Sequence, residues 1–315
     1  MSFFHGKRIV VTGAAGFIGW HVVRLLRNTE CGIVRILHSP AEPLTKRGRA
    51  RVKDVIGDVR EQRTWKAALP GADVVFHLAA QTSASVAEAD PAADFEQNVR
   101  PMERLLQECR RRRPTIVFAS TTTIAGIPDR LPVDESFPDA PMTVYDRHKQ
   151  AAEALLGEYP RGVSLRLANV YGPGPLSRNA DRGVLNAMIA RAIAGEQLTI
   201  YGEGDRLRDY VYVEDAARAF LAAAQRAAGT VGHRFVIGTG RGHTVAAAIH
   251  LVAKRVAAHT GVAVAVRHVP PPAPPLAIDA RDFVTDSRRF RKATRWRPLL
   301  SLSDGIDRTI NGDTK

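Results

Sequence analysis

The amino-acid sequence predicts an α/β protein built on a doubly wound parallel sheet, with a smaller mixed lobe toward the C-terminus. Three observations predict it. Short β-rich apolar runs alternate with helical patterns through the first half, which implies a parallel sheet covered by helices on both faces. After Tyr171-Gly172-Pro173-Gly174-Pro175 the rhythm changes to a mixture of helices, short strands and loops. The length, 315 residues, exceeds what one small core needs and suits two fused lobes.

The elements follow in order. Arg8-Ile9-Val10-Val11-Thr12 reads as the first strand and Phe17 to Arg27 as the first helix. Val34-Arg35-Ile36-Leu37, Asp73-Val74-Val75-Phe76-His77-Leu78 and Thr115-Ile116-Val117-Phe118-Ala119 continue the strands, and Val163-Ser164-Leu165-Arg166-Leu167 closes the series. Their near-continuous apolar character agrees with burial on both faces. The run Pro270-Pro271-Pro272-Ala273-Pro274-Pro275 cannot be helix interior. It reads as a stiff connector in the smaller lobe rather than as a ligand for a proline-binding module.

Composition excludes several classes. No apolar run reaches about 18 residues, so no membrane span is expected. The N-terminal residues lack an apolar signal core and a small-residue cleavage site. Cys31 and Cys109 lie far apart, which excludes a disulfide framework, offers no zinc spacing and fits a reducing cytoplasm. No metal is expected. The net charge is +13, yet the one dense run, Arg110 to Arg113, precedes Pro114, where cations complement a helix C-terminus. Without a nucleic-acid-binding motif beside it, the charge reads as a preference for anionic small molecules, and no nucleic-acid partner is expected.

Thr12-Gly13-Ala14-Ala15-Gly16-Phe17-Ile18-Gly19 falls between the first strand and the first helix. Gly13 suits a tight turn, Gly16 lets backbone approach a pyrophosphate, and Gly19 allows close helix–sheet contact. The helix N-terminus then offers free N–H groups to the phosphates. A simple tight turn is the alternative, but the strand-to-helix position favours a dinucleotide cradle. The second strand ends Leu37-His38-Ser39, without the acidic residue that binds adenosine ribose hydroxyls in NAD-preferring sites. His38 and Ser39 suit a 2′-phosphate instead, helped by Lys46, Arg47, Arg49 or Arg51. NADP(H) is therefore favoured, with NAD(H) as the alternative. Asp58-Val59 is placed either to contact adenine or to make a turn.

Tyr145-Asp146-Arg147-His148-Lys149 sets Tyr and Lys four apart, on one helical face. An ammonium near a phenol favours phenolate and lowers its pKa, so Tyr145 could exchange a proton while hydride moves at the same carbon. Lys149 would also hold the nicotinamide ribose. A surface helix pair is the alternative reading. Phe118-Ala119-Ser120-Thr121-Thr122-Thr123 ends a strand, so a hydroxyl there can reach the reacting oxygen.

With these motifs in place, the sequence resembles the extended short-chain dehydrogenase/reductases, specifically the NAD(P)-dependent sugar-nucleotide epimerase/dehydratase family. The resemblance runs through Thr12 to Gly19, His77-Leu78-Ala79-Ala80, Asn98-Val99, Thr121–Tyr145–Lys149 and Arg166-Leu167-Ala168-Asn169-Val170-Tyr171-Gly172-Pro173. It continues through Tyr201-Gly202-Glu203-Gly204, Arg208 to Asp215 and Val236 to Gly240. It implies a Rossmann-type fold, with 1–168 and 205–240 binding the dinucleotide, and 169–204 and 241–315 forming the substrate lobe. It implies Thr121, Tyr145 and Lys149 as the catalytic set, with Ser120 and Thr122 as near alternatives to Thr121. Gly13, Ala15, Gly16, Phe17, Ile18 and Gly19 would contact the dinucleotide, as would His38, Ser39, Asp58, Val59, Leu78, Ala79, Ala80, Asn98, Tyr145, Lys149 and Val170. Thr82, Thr121, Asn169, Arg208 and Arg281 would face a nucleoside-diphosphate sugar. Arginine forks match phosphate oxygens, although Arg208 could instead pair with Asp209 or Glu214. A homodimer is implied, through a four-helix bundle formed by the helices around Asn98 to Arg112 and Tyr145 to Leu156.

Three reactions of the family share hydride transfer at C4. Dehydratases carry an Asp-Glu pair directly after the catalytic threonine, but here Thr122 and Thr123 stand there and cannot supply that acid–base chemistry. Between the other two, the residues at His38-Ser39 favour reduction of an NDP-4-keto-6-deoxyhexose over 4-epimerisation of an NDP-hexose. So does a closer resemblance to C4-ketoreductases at Tyr145 to Lys149, Ala180-Asp181-Arg182-Gly183-Val184 and Thr294-Arg295-Trp296-Arg297-Pro298. A catalytically silent dinucleotide sensor would predict a broken triad, and the triad is intact.

Overall fold

Seven of the strands hydrogen-bond side by side in parallel, and their order reverses once. The computed structural model describes residues 2–40, 48–110, 113–175, 183–270 and 277–312. Lys46, Arg47, Ala180-Asp181-Arg182 and most of the proline run lie outside these residues, as do two members of the Arg110–Arg113 run.

The strands are β1 (Arg8–Thr12), β2 (Gly32–Leu37), β3 (Arg51–Ile56), β4 (Val74–His77), β5 (Thr115–Thr121) and β6 (Gly162–Leu167). They continue as β7 (Asn169–Tyr171), β8 (Leu198–Tyr201), β9 (Leu207–Tyr212), β10 (His233–Ile237), β11 (Gly242–Thr244) and β12 (Val266–Val269). The helices begin with α1 (Phe17–Leu26), α2 (Gln62–Ala68), α3 (Ala84–Ala89), α4 (Pro91–Asn98), α5 (Arg100–Glu108) and α6 (Val144–Gly157). They end with α7 (Val184–Ile193), α8 (Val213–Gln225), α9 (Ala227–Thr230), α10 (Val245–Thr260), α11 (Arg288–Thr294) and α12 (Leu302–Ile310).

The large sheet runs β10-β6-β5-β4-β1-β2-β3. Strand order reverses between β1 and β4, and a doubly wound sheet opens its ligand crevice at such a point, beyond the strands' carboxyl ends. Register aligns those ends, pairing Thr12 with His77 and Thr121 with Leu167. The fold is the Rossmann-type sheet expected from the sequence.

Period-two alternation sends each strand's side chains into two cores. Val11, Phe76 and Val117 join Val22, Phe220 and Phe235 under α1 and α8. Val10, Val75 and Phe118 join Trp65, Met102 and Leu156 under α2, α5 and α6. Each such ring or branched chain taken from water contributes about 1.5–3 kcal/mol. A third core gathers Tyr171, Leu198, Tyr212, Val252 and Ile306 beneath two small sheets, β11-β9-β7 and β12-β8. Within 205–240, β10 is the edge strand of the large sheet and α8 packs on α1, whereas β9 pairs with β7 and β11.

Two devices fix α6. Thr143 and Asp146 form a reciprocal capping box at its start. Further along, Glu153 and Asp139 grip Arg166 of β6 at 2.5 and 2.6 Å. A buried ion pair adds little net stability but penalises any displacement that would separate it. No helix among the described residues is long and apolar enough to cross a membrane.

Candidate active site

The cradle is built from backbone. Gly13 has φ +61°, and a Cβ there would lie 2.9 Å from the Ala79 nitrogen. A Cβ on Gly19 would lie 2.1 Å from the Gly13 carbonyl oxygen, so only glycine lets α1 sit this close to the turn. Gly16 caps α1 without a side-chain hydrogen bond, and no acidic residue occupies the first turn. The N-terminal N–H groups of α1 and its dipole thus meet no protein carboxylate from that turn, and glycine leaves room for a pyrophosphate. Ala15 and Gly16 are exposed, Phe17 and Ile18 half-buried.

The Thr12 hydroxyl oxygen accepts from the Leu78 and Ala79 N–H groups at 3.0 Å each, so its own proton points to His77 Nδ1 at 2.9 Å. His77 is therefore the Nε2–H tautomer. Burial holds its pKa down at about 3. Its ring stacks on Phe118 at 5.6 Å, and Lys149 Nζ stands 4.4 Å from the centre of that same ring. The sequence thereby brings the Gly13 turn, the Leu78-Ala79-Ala80 strip and the α6 pair to one edge of the sheet.

Tyr145 is half-buried and Lys149 is buried. Burial pulls the Lys149 ammonium down to about 8, against the opposing pull of Glu153 and Asp94. Burial, reinforced by the charges of Asp146 and Asp94, pushes the Tyr145 phenol above its ordinary value. This corrects the expectation that Lys149 lowers the Tyr145 pKa. The ammonium lies 6.0 Å from the Tyr145 ring centre, and in the protein alone desolvation and carboxylates outweigh it.

Thr121 closes β5, and its Oγ1 lies 2.8 Å from Thr123 Oγ1 while accepting from Thr123 N at 3.2 Å. Thr123 donates its hydroxyl proton to Asp146, so Thr121 is the donor to Thr123. Thr122 is spent on the Leu167 carbonyl at 3.1 Å. Ser120 is buried, one strand position before Thr121 and so on the opposite face of β5.

At the other end of the cradle, His38 and Ser39 are exposed beyond β2. Asp58 takes the guanidinium of Arg60 at 2.6 Å, which holds its carboxyl below the usual range. The Asp58 side chain also caps the Arg60 N–H, so the turn role is real; Val59 accepts from Trp65 Nε1 at 2.7 Å.

The nucleotide-facing candidates form a second group on the small sheet. Asn169 is exposed, and its amide donates to the Asp209 carbonyl at 3.3 Å; Val170 follows it, half-buried. Arg208 Nη1 donates to the Arg281 carbonyl at 2.5 Å, which places the two arginines side by side. The Asp209 carboxylate instead receives Thr239, Gly240 and Thr285, and Glu214 faces Arg24 and Arg218. Thr82 is exposed beside the strip after β4.

Residues 9–238 match the family model described as the NAD dependent epimerase/dehydratase family. The chain belongs to this family. It is 32% identical to the UDP-glucose 4-epimerase of Mycolicibacterium smegmatis, over 96% of this chain and 97% of that one. It superposes on the Thermus thermophilus UDP-glucose 4-epimerase in complex with NAD at a TM-score of 0.79 and 31% identity, covering 97% and 98% of the two chains. It superposes on the Thermotoga maritima UDP-glucose 4-epimerase with UDP-glucose at 0.83 and 28%, with 97% and 98% covered.

This family member carries site contacts that sequence reasoning missed. His21, inside α1, donates from Nε2 to the Pro173 carbonyl at 2.8 Å, and burial holds its pKa near 4. Since a carbonyl only accepts, the His21 ring nitrogen is the donor. Asp146, inside the Tyr145–Lys149 segment, joins Thr123 to the start of α6. The capping-box spacing Thr143 to Asp146 was the signal that could have found it. Arg60, beside Asp58, was legible as an Asp-x-Arg turn.

Proposed function

We propose that this NAD-dependent family member is a 4-epimerase of a nucleoside-diphosphate hexose, with UDP-glucose the type substrate. The observation that carries the reading is the full-length likeness to UDP-glucose 4-epimerases. It supports this alternative better than the ketoreductase expected from the sequence. The commitment of Thr122 and Thr123 to local hydrogen bonds is a further argument against dehydratase chemistry.

The glycine turn and the uncapped start of α1 fit a dinucleotide pyrophosphate. Bound oxidised dinucleotide supplies a reversible acceptor for the C4 hydride. In this reading Tyr145 accepts the C4 hydroxyl proton and later returns it, while Thr121 hydrogen-bonds the same oxygen. Lys149 holds the ribose and favours the phenolate. Leu78, Ala79 and Ala80 line the dinucleotide, Asp58 and His38 stand at its adenosine end, and Asn98 ties the adjoining loop. Asn169, Arg208 and Arg281 hold the nucleoside diphosphate. The two lobes divide as 1–168 with 205–240 and 169–204 with 241–315, and α5 and α6 pair with those of a second copy.

A second reading keeps one specific support. β2 ends at Leu37 and His38 follows it with no acid at that position, which suits NADP(H) and a 4-ketoreductase. Mass spectrometry of nucleotide released on denaturing the purified protein separates the two. Retained NAD, together with conversion of UDP-glucose to its C4 epimer without added cofactor, is the expected result. An empty site, and turnover only of 4-keto sugars with NADPH, would establish the reductase.

A further inference from the structure

Asp94 of α4 is a buried hub that the chemistry above does not use. It is 1% exposed, and its carboxylate receives donors from three segments. Gln81 Nε2 and Asn98 Nδ2 reach Oδ1 at 2.8 and 2.9 Å, and His148 Nδ1 reaches Oδ2 at 2.7 Å. The carboxylate only accepts, so His148 carries its proton on Nδ1.

Each donor matters for where it comes from. Gln81 directly follows the Leu78-Ala79-Ala80 strip; its amide also donates to the Ser83 carbonyl at 2.8 Å and accepts from the Ser83 nitrogen. Asn98 donates to the Gln81 carbonyl at 3.1 Å. His148 sits beside Lys149 on α6, and its ring meets Phe95 of α4 edge-on at 5.6 Å. One carboxylate thus ties the strip after β4, α4 and the Tyr145–Lys149 helix together. Removing a donor from a buried charge leaves it under-satisfied, so the hub resists relative movement of these segments.

We propose that Asp94 and His148 are positioning residues, which hold the Tyr145–Lys149 face of α6 in register with the strip that lines the dinucleotide. The proposal rests on the roles given to Tyr145 and Lys149 above. It follows from the demand of proton and hydride transfer for close alignment, where small displacements are costly.

The full-length protein tests it through two substitutions of opposite character. His148→Phe keeps the ring and its contact with Phe95 but donates nothing. His148→Asn gives up the ring but keeps a donor near the place of Nδ1. We expect His148→Phe to lose roughly tenfold or more in kcat on UDP-glucose with KM within about twofold, and His148→Asn to stay within about threefold in kcat. The reverse order would make His148 a packing residue and overturn the proposal, as would native kcat in both. If His148→Phe fails to fold, His148→Asn decides alone: near-native turnover supports the donor, and impaired turnover overturns it. Tyr145→Phe run alongside separates the two levels. An active Tyr145→Phe sinks the proposed role of Tyr145, on which the pair depends. An inactive Tyr145→Phe beside native-like His148 variants sinks the positioning pair alone.

Discussion

The ammonium of Lys149 stands 4.4 Å from the centre of the Phe118 ring and 6.0 Å from that of Tyr145. Phe118 presents its π face to a cation that burial has stripped of water. The same burial draws Lys149 down to about 8 and drives Tyr145 upward. The group that changes charge near neutral pH is therefore the lysine.

Turnover is expected to fall as pH rises through about 8, because Lys149 then loses the charge that favours phenolate. In Lys149→Arg the guanidinium stays charged, so the residual activity should lack that decline. A pH profile of kcat for both proteins checks this. An unchanged alkaline limb in Lys149→Arg would assign the titration to another group.

The same burial has a stability consequence. The folded Lys149 value of about 8 lies below its ordinary 10.5. Between those values the unfolded chain binds more protons, so stability rises with pH across that window; below it the buried charge exerts its full cost. Lys149→Met should then raise Tm near neutral pH while abolishing turnover, by about 2–4 °C for each kcal/mol relieved. The gain should shrink above pH of about 10. Thermal unfolding at both pH values measures it, and a lower Tm in Lys149→Met at neutral pH would contradict it.

What could be read from the sequence was local. The Gly13 turn and the Gly19 contact arise within eight residues, and the Tyr145–Lys149 face follows from helical spacing. The contacts that escaped are long in sequence: 54 residues separate His148 from Asp94 and 152 separate His21 from Pro173. No periodicity encodes such pairs. The titration of Tyr145 escaped for a related reason, since desolvation is set by the assembled site and not by the Tyr-x-x-x-Lys spacing.

The adenosine end makes a separate prediction. His38 is exposed, and the nearby Asp58 is already engaged by Arg60. His38→Asp should add a free acceptor for ribose hydroxyls and repel a 2′-phosphate, so the ratio of NADH to NADPH affinity should rise. Fluorescence titration with both reduced dinucleotides gives the ratio. An identical ratio in the two proteins would remove His38 from the adenosine site.

Tyr145→Phe probes the proton route itself. The ring still packs and only the hydroxyl is lost, so dinucleotide binding should stay nearly intact. The chemical step should fall by roughly 10²–10⁴-fold, the scale for a positioned acid–base group. Thr121 is a poor substitute, because its hydroxyl donates to Thr123, whose own proton goes to Asp146. Thr121 must therefore turn its hydroxyl away from Thr123 before it can donate to a substrate oxygen. That same chain nevertheless ends on a carboxylate. Near-native turnover in Tyr145→Phe would accordingly assign the proton to Thr121, Thr123 and Asp146. Thr123→Val added to Tyr145→Phe would then abolish what remained, since it breaks the path between the Thr121 hydroxyl and Asp146. If Tyr145 is the donor, Thr123→Val on its own should cost far less than Tyr145→Phe, because Thr121 would keep its place at the end of β5 and lose only a partner.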